Sequence, residues 1–209
     1  MKFSRTLCIA GLAGLLSACA ALNTPEANTP ITASSADWPL HNLDLAGSRF
    51  SRLDQIKPTN VKTLTPRWLF QHGVIDGVSN QTTPVVVDGI MYVTDSRGSV
   101  YALNALDGHL LWTFDVTPLL GGRGCRAGLD CYIFRNRGVT YADGVMYTAA
   151  GSFLFALDAK TGAPIKSFGN NGQASTILDV LKLRYPNVTT AISMGYWFTT
   201  PPQGHNGVL

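Results

Sequence analysis

An all-β fold of four-stranded blades set radially, a β-propeller, is predicted by three features of this 209-residue chain. The first is a repeat. Asp88-Gly-Ile-Met-Tyr-Val-Thr followed by Ala102-Leu-Asn-Ala-Leu-Asp-Gly returns as Asp143-Gly-Val-Met-Tyr-Thr-Ala followed by Ala156-Leu-Asp-Ala-Lys-Thr-Gly. The Asp-Gly pairs lie 55 residues apart and the Ala-Leu pairs 54 apart, so the second copy has lost one residue in the turn between its halves. A fixed period of this length marks a stacked or radial array. The second feature is turn chemistry: Asp-Gly is a tight-turn dipeptide, and it separates β-branched and aromatic runs of strand length. The third is the lack of any long apolar stripe at helical spacing, which disfavours a helical solenoid.

The chain opens on a targeting segment. Lys2 and Arg5 supply a positive start, residues 7–16 a short apolar core, and Leu16-Ser17-Ala18-Cys19 fits a bacterial lipoprotein cleavage pattern in which Cys19 is lipidated. Ala18-Cys19-Ala20 also satisfies an ordinary small-x-small cleavage site, which would release a soluble product. Both routes lead to the periplasm, and Ala20 after the cysteine favours a lipid anchor in the outer membrane. The apolar run is too short to span a bilayer. Residues 20–36, rich in Thr, Pro, Ala, Asn and Ser with Glu26 as the single charge, read as a flexible tether. A β-propeller domain is expected over residues 37–209.

Within the first copy, Val85-Val86-Val87 leads through Asp88-Gly89 into Met91-Tyr92-Val93. Asp95-Ser96-Arg97-Gly98 then turns the chain into Val100-Tyr101-Ala102-Leu103, and Leu106-Asp107-Gly108-His109 turns it into the strand Leu110 to Phe114. Four short strands per copy make a propeller blade. A third copy starts at Thr200-Pro201-Pro202, which matches Thr82-Thr83-Pro84, and Asn206-Gly207-Val208-Leu209 matches Asp88-Gly89-Ile90-Met91. About two blades and the opening of a third cannot close a ring, so the parent polypeptide is expected to be longer, a small natural protein being the alternative.

Composition bounds the function without naming it. Without the first 19 residues Lys+Arg falls from 16 to 14 against 13 Asp+Glu, a charge far from a nucleic-acid footprint. The 14% of charged residues, 21 glycines and 10% aromatics fit a turn-rich sheet fold. Four cysteines reduce to two on this reading, since Cys8 would leave with the signal and Cys19 would carry lipid. Cys125 and Cys131, five residues apart in the loop they would close, read most simply as a structural disulfide in an oxidising compartment. No Cys-x-x-Cys or paired histidines accompany them, which argues against zinc.

Propellers serve as enzymes and as scaffolds alike, so function has to come from other segments. Asp37-Trp38, Gly47-Ser48-Arg49-Phe50-Ser51, Gln55-Ile56, Asn60-Val61-Lys62-Thr63-Leu64 and Trp68-Leu69-Phe70 follow one another in an order and spacing that resemble a known amino-terminal signature. It is that of the quinoprotein dehydrogenases that use pyrroloquinoline quinone (PQQ). Trp38 and Trp68 read as packing anchors that help seal the propeller. Cys131-Tyr132-Ile133-Phe134-Arg135-Asn136-Arg137-Gly138 is similar to the family stretch in which Asn-Arg-Gly follows a cysteine element, the arginine pairing a carboxylate of the quinone. A tricarboxylic cofactor suits a planar, permanently charged, bidentate donor, so Arg137 is the foremost cofactor-binding candidate. Thr199, in Thr199-Thr200-Pro201-Pro202, matches the strand start from which a threonine reaches the cofactor, although Thr-Pro also opens a strand in the first copy for structural reasons.

Two positions depart from part of the family. Soluble alcohol dehydrogenases of the class carry adjacent cysteines where this chain has Cys131-Tyr132, so a vicinal disulfide cannot form. Pairing of Cys131 with Cys125 would leave Tyr132 or the bridge itself as a stacking surface. Gln81 stands where many relatives have glutamate, and its amide can hydrogen-bond the quinone without contributing charge. Phe168-Gly169-Asn170-Asn171-Gly172 resembles the glucose and polyol branch, which also lacks the adjacent cysteines.

The resemblance implies an eight-bladed propeller holding PQQ and calcium, which oxidises an alcohol, polyol or sugar and passes electrons to cytochrome c or ubiquinone. The catalytic aspartate and the metal ligands are expected beyond Leu209, leaving the covered chain inactive alone; Asp76, Asp95, Asp130 and Asp143 read as turn residues. The competing reading is a non-enzymatic outer-membrane lipoprotein propeller of the assembly-factor kind, which needs neither Arg137 nor the Asp37-to-Trp68 signature. A third is a quinoprotein-like propeller that has lost its cofactor.

Overall fold

A computed structural model of the chain describes residues 36–74, 80–119, 135–204 and 208–209. Two four-stranded antiparallel sheets form its body, each with its strands in sequence order. The first comprises β1 (Val85–Val87), β2 (Ile90–Thr94), β3 (Val100–Asn104) and β4 (Leu110–Phe114). The second comprises β5 (Thr140–Ala142), β6 (Val145–Ala150), β7 (Phe153–Asp158) and β8 (Gln173–Ala174). The register runs Val85 opposite Tyr92, Tyr92 opposite Ala102, and Ala102 opposite Trp112, so one row of side chains crosses the first sheet on a single face. Val85, Tyr92 and Ala102 in that row are buried, as the period-2 alternation requires.

The two copies of the repeat build the same turns. Asp88 (φ 51) and Gly89 (φ 75), like Asp143 (φ 49) and Gly144 (φ 82), take consecutive positive φ angles, which join twisted strands without splaying them. Each Asp-Gly turn is tied to the Ala-Leu turn of its own blade: Ala105 N donates to Gly89 O at 2.9 Å, and Ala159 N to Gly144 O at 2.9 Å. Asp158 closes its turn by accepting from Lys160 N, Thr161 N and Thr161 Oγ1. These bonds, the Thr161 hydroxyl foremost, hold its carboxyl below the usual range. The residue lost from the second copy sits between β6 and β7, where Gly151 and Ser152 replace the five-residue turn Asp95–Ser99 and each flanking strand gains one residue.

The blades meet through aromatic side chains of the first and a backbone turn of the second. A Cβ built on Gly162 would lie 2.5 Å from Trp112 Cε3, so only glycine lets the indole reach the turn. Trp112 Nε1 donates to Ala159 O at 3.2 Å, and Tyr92 Oη donates to the same carbonyl at 3.0 Å. Trp68 repeats the arrangement one blade earlier, against Gly108 and with Nε1 donating to Ala105 O at 3.2 Å. The packing role read for Trp68 is thus what the structure shows. Phe114 and Phe155, with ring centroids 5.5 Å apart, continue the junction into a core that also holds Val100, Val139, Met146 and Leu157. Burying each large apolar side chain contributes roughly 1.5–3 kcal/mol.

At the edge strands β1 and β5, Trp38 exchanges two backbone bonds with Val86 (2.6 and 2.9 Å), and Tyr141 N donates to Pro39 O at 3.2 Å. The Asp37–Leu40 segment therefore joins the first strands of both blades. Two features differ from the sequence reading. The fourth strand of the second blade is only two residues long, and it is followed by a helix, α1 (Thr176–Arg184). No residue of α1 is fully buried, and its half-buried Ile177, Leu178 and Leu181 make a patch too short to read as a sustained apolar stripe; Asp179 in its first turn and Lys182 and Arg184 in its last complement the helix dipole. Cys19 and the segment before residue 36 lie outside the described residues, and among those residues no helix is long and apolar enough to cross a membrane.

Gly162→Ala should cost about 2–4 kcal/mol, combining a clash with Trp112 and a left-handed φ. Gly144→Ala, with the same sign of φ but open space around it, should cost about 1 kcal/mol in denaturant titration; equal costs would deny the indole contact its role. Burial, and next to it the neighbouring Tyr141, pushes the Tyr92 hydroxyl up to about 12. Its contribution is complete below the ordinary phenol value near 10 and is lost as pH rises from there through 12. Tyr92→Phe should therefore lower neutral-pH stability by about 1 kcal/mol and flatten the alkaline unfolding slope.

Candidate anion site at the blade junction

The end of the sheets at which β1 and β5 begin carries a continuous polar network. Thr82 Oγ1 accepts from Thr94 N at 3.2 Å and lies 2.9 Å from Thr94 Oγ1, to which it donates because the single Thr94 hydroxyl proton goes to Asn136. Asn136 Oδ1 lies 2.7 Å from Thr94 Oγ1 and accepts from Gly138 N at 2.7 Å, while its Nδ2 donates to Ala149 O at 2.6 Å and to Thr148 Oγ1 at 3.4 Å. Thr148 Oγ1 in turn donates to Gly98 O at 3.1 Å, in the β2–β3 turn of the first blade. Asn136, Thr94 and Thr148 are all buried, so each bond is made in a dry environment where an unmade one would be costly. Gly138, at φ 124, leaves no room for a side chain: its Cβ would stand 2.8 Å from Thr83 O.

Arg137 sits between Asn136 and Gly138 and is held from two directions. Its carbonyl accepts from Thr83 N of the first blade at 3.1 Å, and its Nη1 donates to Thr199 O at 2.6 Å. The segment bearing Thr199 is anchored by Phe198 N donating to Gly151 O at 2.8 Å and by Thr140 Oγ1 donating to Pro202 O. Arg137 is half-buried, and among the described residues no carboxylate forms an ion pair with it. A partly desolvated guanidinium in that position retains donors for an anionic group.

Of the sequence candidates, the structure brings Arg137 and Thr199 into direct contact, through the Thr199 carbonyl rather than its hydroxyl. Gln81 is exposed and directly precedes Thr82, placing it at the same end of the sheets. Cys131, Cys125 and Tyr132 lie outside the described residues, as do Asp76 and Asp130. Asp95 is a turn residue: Oδ1 accepts from the backbone N–H groups of Arg97, Gly98 and Ser99, and Oδ2 from Tyr101 Oη at 3.2 Å. Burial, followed by the charge of Asp95, moves the Tyr101 hydroxyl above the ordinary phenol range. At Asp115 burial works against ionisation, but bonds from Thr117 and Ser99 and the charge of Arg97 overcome it and hold the carboxyl low.

Sequence reasoning passed over Asn136 as a site residue although it stands in the Asn-Arg-Gly motif, and it passed over Thr94 and Thr148, which look like ordinary strand residues. Among the described residues no group of three or more His, Cys, Asp or Glu could hold a metal ion. A surface cleft lined by Arg184–Thr189 and Met194 shares no residue with the network.

The PQQ family model, which describes the β-propeller domain of glucose, ethanol and alcohol dehydrogenases, matches residues 38–208. The chain belongs to the PQQ-dependent dehydrogenase β-propeller family. The chain is 41% identical over 136 residues to a quinohemoprotein alcohol dehydrogenase of Comamonas testosteroni, covering 64% of this chain and 18% of that protein. It is 34% identical over 165 residues to the dehydrogenase subunit of a quinone-linked alcohol dehydrogenase of Gluconobacter oxydans, covering 74% of this chain and 20% of that protein. The crystal structure of the Comamonas testosteroni enzyme superposes with a TM-score of 0.57 at 31% identity, covering 82% of this chain and 22% of that one. The chain thus spans about a fifth of the length of these relatives, and within them it corresponds to the amino-terminal portion of the propeller.

Proposed function

We propose that this chain supplies two blades and an arginine anion site to a PQQ-binding propeller that oxidises an alcohol, with electrons passing to a cytochrome or ubiquinone. The observation that carries the reading is Arg137: a half-buried guanidinium without a carboxylate partner among the described residues, at a strand end where Thr82, Thr94, Asn136 and Thr199 converge. The donor set suits a polycarboxylate edge, because Arg137 offers a bidentate cation and the surrounding bonds fix its backbone before the ligand arrives. When bound, the quinone accepts the hydride removed from the substrate alcohol. Arg137 binds a quinone carboxylate, Thr83 and Thr199 orient the arginine, and Gln81 offers a neutral amide at the same end. Cys131 is assigned to the quinone's surroundings by resemblance. Calcium or a related ion belongs to the same reading, and its ligands and the substrate base are assigned to no described residue. Alcohol is preferred over sugar because the relatives named above act on alcohols.

The reading places the protein in the periplasm, lipid-anchored to the outer membrane through Cys19 and a tether over residues 20–36. Its support is the sequence: Lys2 and Arg5, the apolar run and Leu16-Ser17-Ala18-Cys19.

Titration of the intact apoprotein with PQQ in the presence of calcium tests the cofactor. Arg137→Ala should weaken binding roughly 100-fold and Arg137→Lys roughly tenfold, the scale expected for truncating one partner of a buried charge pair. Undiminished affinity in Arg137→Ala overturns the assignment. Dye reduction with primary alcohols, polyols and glucose then ranks the substrates. For the anchor, Cys19→Ser should abolish incorporation of labelled palmitate and release the protein from the membrane fraction; unchanged labelling would exclude lipidation at that residue.

A further inference from the structure

We infer that Asn136 is the positioning residue through which the packing of the two blades sets the ligand affinity of Arg137, an inference resting on the anion-binding role proposed for that arginine. Asn136 is 3% exposed, and its amide has two acceptor sites and two donors, all four of them used. The two ends of the amide are not interchangeable. Oδ1 faces the Gly138 N–H, which can only donate, and Nδ2 faces the Ala149 carbonyl, which can only accept.

The bond from Gly138 N to Asn136 Oδ1 spans Arg137 and makes it the middle residue of an Asx turn, which fixes its backbone. The other contacts of the amide reach both blades: Thr94 belongs to β2, and Thr148 and Ala149 to β6. The circuit closes on itself, since Thr94 bonds to Thr82 and Thr83 N donates to the Arg137 carbonyl. A change in blade spacing therefore displaces the Asn136 amide, and with it the backbone from which Arg137 projects. A side chain that only filled space at the junction would have no reason to brace the residue beside it.

The experiment is a double-mutant cycle on PQQ affinity in the intact apoprotein, with thermal melting recorded for every variant. Asn136→Ala and Asn136→Asp should each weaken PQQ binding about tenfold, within the range of coupling found for residues sharing a network. In the Arg137→Ala background the same substitutions should change affinity less than about twofold, while their loss of melting temperature persists undiminished. Thr94→Val, which removes a single hydroxyl from Oδ1, should give a smaller loss that likewise vanishes without Arg137, and it carries the test if the Asn136 variants do not fold. Equal losses in both backgrounds overturn the inference and leave Asn136 a packing residue. Failure of the wild-type protein to bind PQQ overturns the cofactor reading and this inference together, whereas wild-type binding with additive losses overturns this inference alone.

Discussion

Contact between an indole and a glycine of the next blade fixes how closely the two sheets approach. Trp112 can press on the Ala159–Gly162 turn only because position 162 lacks a side chain, and the Ala159 carbonyl then receives hydrogen bonds from both Trp112 and Tyr92. The Ala159 N–H is meanwhile spent on Gly144 within its own blade. One residue thus joins an intrablade turn to an interblade clasp. With that end fixed, the other end of the sheets has little latitude. Gly98 comes up against Ala149 and Ala150, Thr83 against Gly138, and the Thr82–Thr94–Asn136 network closes across the gap.

The blade architecture was legible because each turn has a local cause. Asp88-Gly89 and Asp143-Gly144 announce hairpins by composition, and the buried Tyr92 and Thr94 of β2 follow its alternation, which β3 breaks at a register shift where Ala102 and Leu103 are both buried. Helix α1 was not legible, since its single half-buried patch of Ile177, Leu178 and Leu181 is too short to stand out as a sustained stripe. The site divides in the same way. Arg137 could be singled out from its motif, and Thr199 from a strand-start pattern, but the use of the Thr199 carbonyl depends on where a segment 62 residues away packs. Asn136 escaped because its importance lies in four partners drawn from three stretches of chain, and only Gly138 is near it in sequence.

Repeated and unrepeated residues carry different duties. The Asp-Gly and Ala-Leu turns recur with the same hydrogen bonds in both copies and lie at one end of the strands. Asn136 and Arg137 stand one period after Gln81 and Thr82, so the residue types here are not repeated, and they gather at the opposite end. Asp95 shows why an acidic residue near such a site need not be chemical: four donors surround its carboxylate, which is committed to holding a turn. The guanidinium of Arg137, by contrast, is half-buried, held by the Thr199 carbonyl and in no ion pair with a carboxylate among the described residues.

The strand order within each sheet has a kinetic meaning. Every sheet neighbour is also a sequence neighbour, so the four strands of a blade can zip together through short loops, with little chain entropy lost before contacts form. The interblade clasp spans more chain, 67 residues from Tyr92 to Ala159, and belongs to a later stage. A blade is therefore a unit that can assemble while the following one is still unfolded, and the chain can acquire its structure in the order in which it emerges from a ribosome.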